Sequence, residues 1–287
     1  MSMQAITDPT WIRLGEVRPD LLTDARLQVH HAVQIAVSAT ISYLQARNDD
    51  SHTALTWSAP LSALVTESMP ARFRPFRVAV QPGSLMLLSV DETGVVDRSF
   101  TLRGRSITEA HAWLADVARS VGLDATRLTP RKHYSIPPHA VDAGAPFSAS
   151  ESGLTELERY WRNAAVVLDD LARTTPGASP VRVWPHHFDM ATLISLPPDT
   201  RGTGRTIGVG LSPGDEWYGE PYWYVGPYPH PPTTSLPPLD YGHWHTKGWV
   251  GAALSASEFV SADTIDQHRQ VTTFLDSAVR ACRALLG

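Results

Sequence analysis

Apolar residues at Val29, Val33, Ala36, Val37, Ile41 and Leu44 recur every three or four positions, a spacing that predicts an amphipathic helix over 23–46. The rhythm then changes. TALTWSA, FRVAVQ, SLMLLSVD and VVDRSFTL are short, rich in β-branched and aromatic residues, and divided by the turn signals QPGS and DETG, which predicts an antiparallel meander. Helical spacing returns at Ala110, Leu114, Val117 and Val121, opened by Ser106 and Glu109 at capping-box separation. Residues 125–153 carry several prolines and no apolar period, and read as a long connection over the surface.

Beyond that connection the order of elements starts again. Thr155 and Glu158 form a second capping box, and Leu157, Trp161, Ala164, Leu168 and Leu171 mark the buried stripe of the helix it opens. Four strand-like runs follow: VRVWPHHFDMATLISL, RTIGVGLS, PYWYVGPY and HWHTKGWVGAAL. Thr264 and Gln267 read as the cap of a last helix, buried through Val271, Phe274, Leu275, Ala278, Cys282 and Leu285. The predicted class is α+β, with antiparallel sheets packed against helices. Element order alone suggests two pseudo-repeated halves, each helix, four strands, helix. The domain map is an N-terminal half over 1–124, a Pro-rich connection over 125–153 and a C-terminal half over 154–287.

Composition narrows the classes. Hydrophobic residues make up 43% of 287 positions, enough for a sizeable core. Charged residues are 18% and the net charge is -5, with no Lys/Arg run able to neutralise a phosphate backbone, which argues against nucleic acid as a partner. No apolar run reaches bilayer-spanning length and the first residues lack a signal-peptide pattern, so a cytoplasmic location without membrane partners is the expectation. The single cysteine, Cys282, excludes an internal disulfide and reads as a small buried hydrophobe. His30 and His31, mid-helix, read as half-buried or solvated.

Pro, Gly, Trp, Tyr and His concentrate in WPHHFD, SPGDEWYGEPYWYV and YGHWHTKGW, as a stiff surface framing a pocket would require. Strand alternation places His187 with Asp189, His243 with His245, and Glu220 with Tyr222 and Tyr224, each set on one face. If those faces meet, imidazoles and a carboxylate can hold a divalent transition metal: zinc, iron, nickel or manganese. An open coordination position would then activate water for hydrolysis, with Glu220 or Asp215 as general base. Two further readings stand beside this one. Trp184, Trp217, Tyr222, Trp223 and Tyr224 can wall a metal-free pocket that binds a small polar molecule without catalysis. Alternatively the histidines are structural, each tied to a carbonyl or carboxylate in an interaction domain. The sequence carries no signal for the oligomeric state.

WPHHFD, with its W-x-x-x-F-D spacing, and the S-P-G-D-x-x-Y-x-E-P-Y-x-Y run from Ser212 to Tyr224 resemble a family of bacterial proteins grouped as a domain of unknown function. The resemblance extends over most of the chain, including the early helix and RYWRNAAVVL. It implies no activity and no catalytic residue.

Overall fold

Residues 11–130, 132–197 and 204–287 are described by a computed structural model, and they divide into two units interleaved along the chain. The first takes residues 20–158 and 182–189; the second takes 11–19, 159–181 and the described part of 190–287. The boundaries differ from a simple division at the Pro-rich connection, because WPHHFD belongs with the first unit and residues 11–19 with the second. Helices and antiparallel strands in both units make the fold α+β. No described helix is long and apolar enough to cross a membrane.

In the first unit, α1 (Thr23–Tyr43) is followed by β1 (Leu55–Ser58), β2 (Ala63–Thr66), β3 (Arg77–Gln81), β4 (Met86–Val90), β5 (Val96–Thr101) and α2 (Ile107–Ser120). The helix α3 (Glu151–Thr174) begins in this unit, and β6 (Arg182–Trp184) ends it. Its strands lie in the order β6-β1-β2-β3-β4-β5, with antiparallel pairs throughout. The β1–β2 hairpin was not separable in the sequence: Ala59 to Ser62 turn the chain with Ser62 at φ +45°, leaving only four residues for β2. Ser106 and Glu109 do form the expected capping box of α2.

The helix α1 departs from its expected amphipathic form. Val29, Val33, Ala36 and Val37 are fully buried, but so are Gln28, His30, His31 and Gln34 on its polar side. The Pro-rich connection covers that side and supplies its hydrogen bonds. His31 Nε2 meets the Pro137 carbonyl at 3.1 Å. The Tyr134 hydroxyl donates to Gln34 Oε1 at 2.8 Å. Gln28 Oε1 accepts from the backbone N–H of Ser148 and Ala149 at 2.7 and 3.0 Å. A polar stripe on a helix ordinarily signals water; here the partner is the backbone of a segment that has few regular hydrogen bonds of its own.

The second unit contains the rest of α3, then all but the first residue of β7 (Asp189–Leu196), β8 (Arg205–Ser212), β9 (Tyr222–Tyr228), β10 (His243–His245), β11 (Gly251–Ser255), α4 (Ala256–Phe259) and α5 (Thr264–Leu286). Its strands lie in the order β10-β11-β9-β8-β7, again antiparallel, with α5 against β8, β9 and β11. The strand numbers of the two halves differ from the expected four and four. Two helix starts also differ. α3 opens a turn before Thr155, where Ser150 Oγ accepts from Gly153 N at 3.2 Å, and α5 is capped by Asp263.

Gln267, freed from capping, is fully buried and clips the N-terminal segment: its Oε1 accepts from Leu14 N, and its Nε2 donates to Leu14 O, both at 2.9 Å. Asn163 on α3 does the same for Ile12, accepting from its N–H at 2.9 Å and donating to its carbonyl at 2.7 Å.

Candidate functional site

In the second unit, the SPGD stretch ends β8 and turns at Gly214, whose φ of +113° excludes most side chains. Asp215 then organises the loop. Its Oδ1 accepts from the N–H of Trp217 and Tyr218 at 2.8 and 3.0 Å, and its Oδ2 accepts from the Tyr222 hydroxyl at 2.5 Å. This turn sets the Tyr218 ring 4.5 Å from that of Tyr222.

Strand β10 approaches from the other side, where His243 and His245 share a face as alternation predicts, while Trp244 turns away and donates to the Pro237 carbonyl at 2.7 Å. The Tyr218 hydroxyl lies 3.0 Å from His243 Nε2 and 3.0 Å from His245 Nδ1.

The outer nitrogens of the two rings differ. His245 Nε2 is 2.5 Å from the Lys247 carbonyl, and His243 Nδ1 is 3.6 Å from Glu258 Oε1. A carbonyl accepts only, so Lys247 assigns a proton to His245 Nε2 and leaves the Nδ1 lone pair facing the Tyr218 hydroxyl. The phenol has one proton. Burial, then Asp215 and Glu258, raise its pKa above the ordinary range, so that proton stays in place. With the Tyr218 O–H donating to His245 Nδ1, the phenol oxygen can accept from His243 Nε2–H, so the three groups form one continuous hydrogen-bonded chain.

Aromatic rings surround the pair of histidines. His245 stacks on Trp249 with centroids 4.4 Å apart and planes 17° apart, and meets Trp217 edge-on at 5.3 Å. Trp217 is 45% exposed and packs against Gly248, where an added Cβ would lie 2.5 Å from its ring. Tyr224 continues the same face of β9, over Gly210. Trp223 points the other way and is buried.

The two carboxylates expected as general bases are committed to local structure: Asp215 to its turn, and Glu220 to the start of α4. Glu220 Oε2 accepts from Ser257 N at 2.9 Å, and its Oε1 accepts from the Ser257 hydroxyl at 2.7 Å.

No family model, curated protein or solved structure matches the chain. Tyr218, Glu258 and Trp249 are the members of the centre that strand periodicity missed. Tyr218 had one signal, its place three residues after the aspartate of a Pro-Gly-Asp turn.

His187 and Asp189 lie in the first unit. Residues 185–188 form a tight turn between β6 and β7 rather than a continuous strand, closed by the Phe188 N–H donating to the Trp184 carbonyl at 2.7 Å, with Phe188 at φ +58°. Alternation breaks there, so His187 is exposed and Asp189 buried. The half-buried Trp184 ring lies 5.9 Å from His186, which is 4.5 Å from His187. Phe188 stacks on His30 at 4.6 Å, and His30 Nε2 meets the Pro185 carbonyl at 2.8 Å. Burial pulls His30 down to about 3, and burial with neighbouring His187 pulls His186 to about 4, so these rings are neutral at physiological pH.

Among the described residues no group of three or more His, Cys, Asp and Glu side chains is arranged to hold a metal. Two clefts, one of about 260 Å³ between α3 and α5 and one of about 340 Å³ beside β1, β3 and β4, are lined by other residues.

Proposed function

We propose that Tyr218, His243 and His245 form a centre for a divalent transition metal that serves hydrolysis of a small polar molecule. The observation that carries this reading is the convergence of two imidazole nitrogens on one phenol oxygen, each at 3.0 Å, with His245 Nε2 held on its far side by the Lys247 carbonyl. Outer acceptors of this kind fix the tautomer and orientation of histidine ligands in metal sites. Two imidazoles suit zinc or iron; a metal between them would have to displace the Tyr218 proton to take the phenolate oxygen as a third ligand, which would leave a position open for water. A metal bound there would lower the pKa of that water toward about 7, which replaces the general base that Asp215 and Glu220 are not free to provide. Trp217 and Trp249 would flank the substrate. The motif behind the family resemblance supplies Asp215, Tyr218 and Tyr222, so it would be the framework of the centre.

The test is elemental analysis of protein made without a histidine tag, before and after loading with zinc, iron, nickel or manganese. Stoichiometric metal is expected. It should vanish in the His243→Ala, His245→Ala double variant. Wild-type protein that neither retains nor takes up metal refutes the reading.

The half-exposed Trp217 favours a second reading, in which Tyr218, His243 and His245 hold one another without metal and the aromatic surface binds a polar ligand without turnover. Thermal stabilisation by members of a small-molecule panel, in metal-free protein and lost in Trp217→Ala, would support it.

A further inference from the structure

The first unit holds an arginine whose buried nitrogen finds no acceptor among the described residues. Residues directly opposite each other in antiparallel strands share a face, so the pairs Val65↔Ala79, Ala79↔Leu88 and Arg77↔Val90 place Arg77 on the same side of the sheet as Val65, Leu88 and Val90. That face is apolar, with Ala63, Val65, Ala79, Leu88 and Val90 all buried and Leu61 packed against them. Arg77 stands at its end, and its Nε is buried with no hydrogen-bond partner. A buried guanidinium nitrogen without an acceptor destabilises a fold, so Arg77 carries an unanswered donor beside the cleft that its side chain lines.

The surroundings supply the shape for an acceptor. A cleft of about 340 Å³ opens here, lined by Thr56, Ser58, Leu61, Val65, Arg77 and Val90 among others. Thr56 and Ser58 lie opposite Val65 and Ala63 in the β1–β2 pair, so their hydroxyls stand on the guanidinium's face. Asp91 also borders the cleft, but its Oδ1 is held by the Thr93 hydroxyl and by the N–H groups of Thr93 and Val95, which pull its carboxyl below the ordinary range. Its charge is thus partly answered within its own turn. What remains is one cationic fork, two hydroxyls and an aliphatic floor.

We propose that this cleft binds a small carboxylate with an apolar body, its carboxylate on Arg77 and its body over Leu61, Val65 and Val90. Arginine offers paired donors that match a carboxylate, whereas inorganic phosphate would leave the aliphatic floor uncovered. The site is independent of the Tyr218 centre, and neither reading needs the other.

The experiment titrates ¹⁵N-labelled protein with benzoate and, separately, with inorganic phosphate, following the Arg77 Nε–H resonance assigned by its loss in Arg77→Lys. Benzoate is expected to shift that resonance saturably in the millimolar range or below, and more tightly than phosphate. Calorimetry on Arg77→Gln should show binding weakened roughly tenfold or more. The wild-type resonance decides the matter even if Arg77→Gln does not fold. No saturable shift, phosphate binding as well as benzoate, or unchanged affinity in a folded Arg77→Gln each overturns the proposal.

Discussion

Acidification below pH 6.5 should remove stability from the unit built on α1, and His30 accounts for a definable share of the loss. Its ring is 4% exposed, stacked on Phe188 and hydrogen-bonded to the Pro185 carbonyl. Burial lowers its pKa from the ordinary 6.5 to about 3; the Pro185 bond opposes that shift, and nearby His31, Arg26 and Lys132 add to it. The unfolded chain therefore takes up a proton at this residue below pH 6.5, whereas the folded chain does not until about pH 3. Stability from this group is complete above pH 6.5 and declines as pH falls toward 3. The slope is about 1.4 kcal/mol per pH unit, so at pH 5 the loss comes to about 2 kcal/mol. Urea denaturation followed by circular dichroism at intervals from about pH 7.5 to 5 measures it, in wild type and in His30→Gln. Glutamine keeps a donor for Pro185 but does not titrate. The variant should lose about one proton's worth of slope between about pH 6.5 and 5, whatever its stability at neutral pH. Equal slopes in the two proteins would refute the account of a neutral, buried His30.

Two further outcomes follow from packing. Gly210→Ala would place a Cβ 2.6 Å from the Met190 carbonyl and 2.8 Å from the Tyr224 hydroxyl, so it should lower the thermal midpoint by an amount equivalent to about 1–3 kcal/mol, while Gly226→Ala, which meets nothing, should not. Cys282 is fully buried and its thiol is pushed up to about 12, so it should resist a disulfide-exchange reagent at about pH 8 in folded protein and react once the protein is unfolded; rapid reaction of the native state would contradict its burial.

Much of the architecture was legible as periodicity. The stripes on α2 and α5 matched their buried faces except at Leu285, which is half-buried, and the alternation in His-Trp-His placed two imidazoles on one side of β10. Legibility ended where side-chain direction depends on a turn. Phe188 adopts a positive φ that large aromatic residues rarely take, so nothing in WPHHFD announced the reversal between β6 and β7. Tyr218 reaches the histidines from a loop that Asp215 shapes, where neither helical nor strand period applies. His30 and His31 read as half-buried or solvated because the carbonyls they bond come from residues more than a hundred positions away.

The amide clips on Ile12 and Leu14 bear on how this protein can be dissected. A recombinant fragment beginning at residue 154 would retain the whole of β7–β11, yet it would strip the main-chain partners from Asn163 and Gln267, both sealed at 0% exposure. Asn163 would then lose both of its main-chain partners and Gln267 Oε1 its donor from Leu14, while Gln267 Nε2 keeps the Val260 and Ala262 carbonyls at 2.9 and 3.2 Å. Expression of the carboxyl-terminal part in isolation calls for co-expressing or tethering the segment that carries Ile12 and Leu14, which acts less as a tail than as the missing edge of its core.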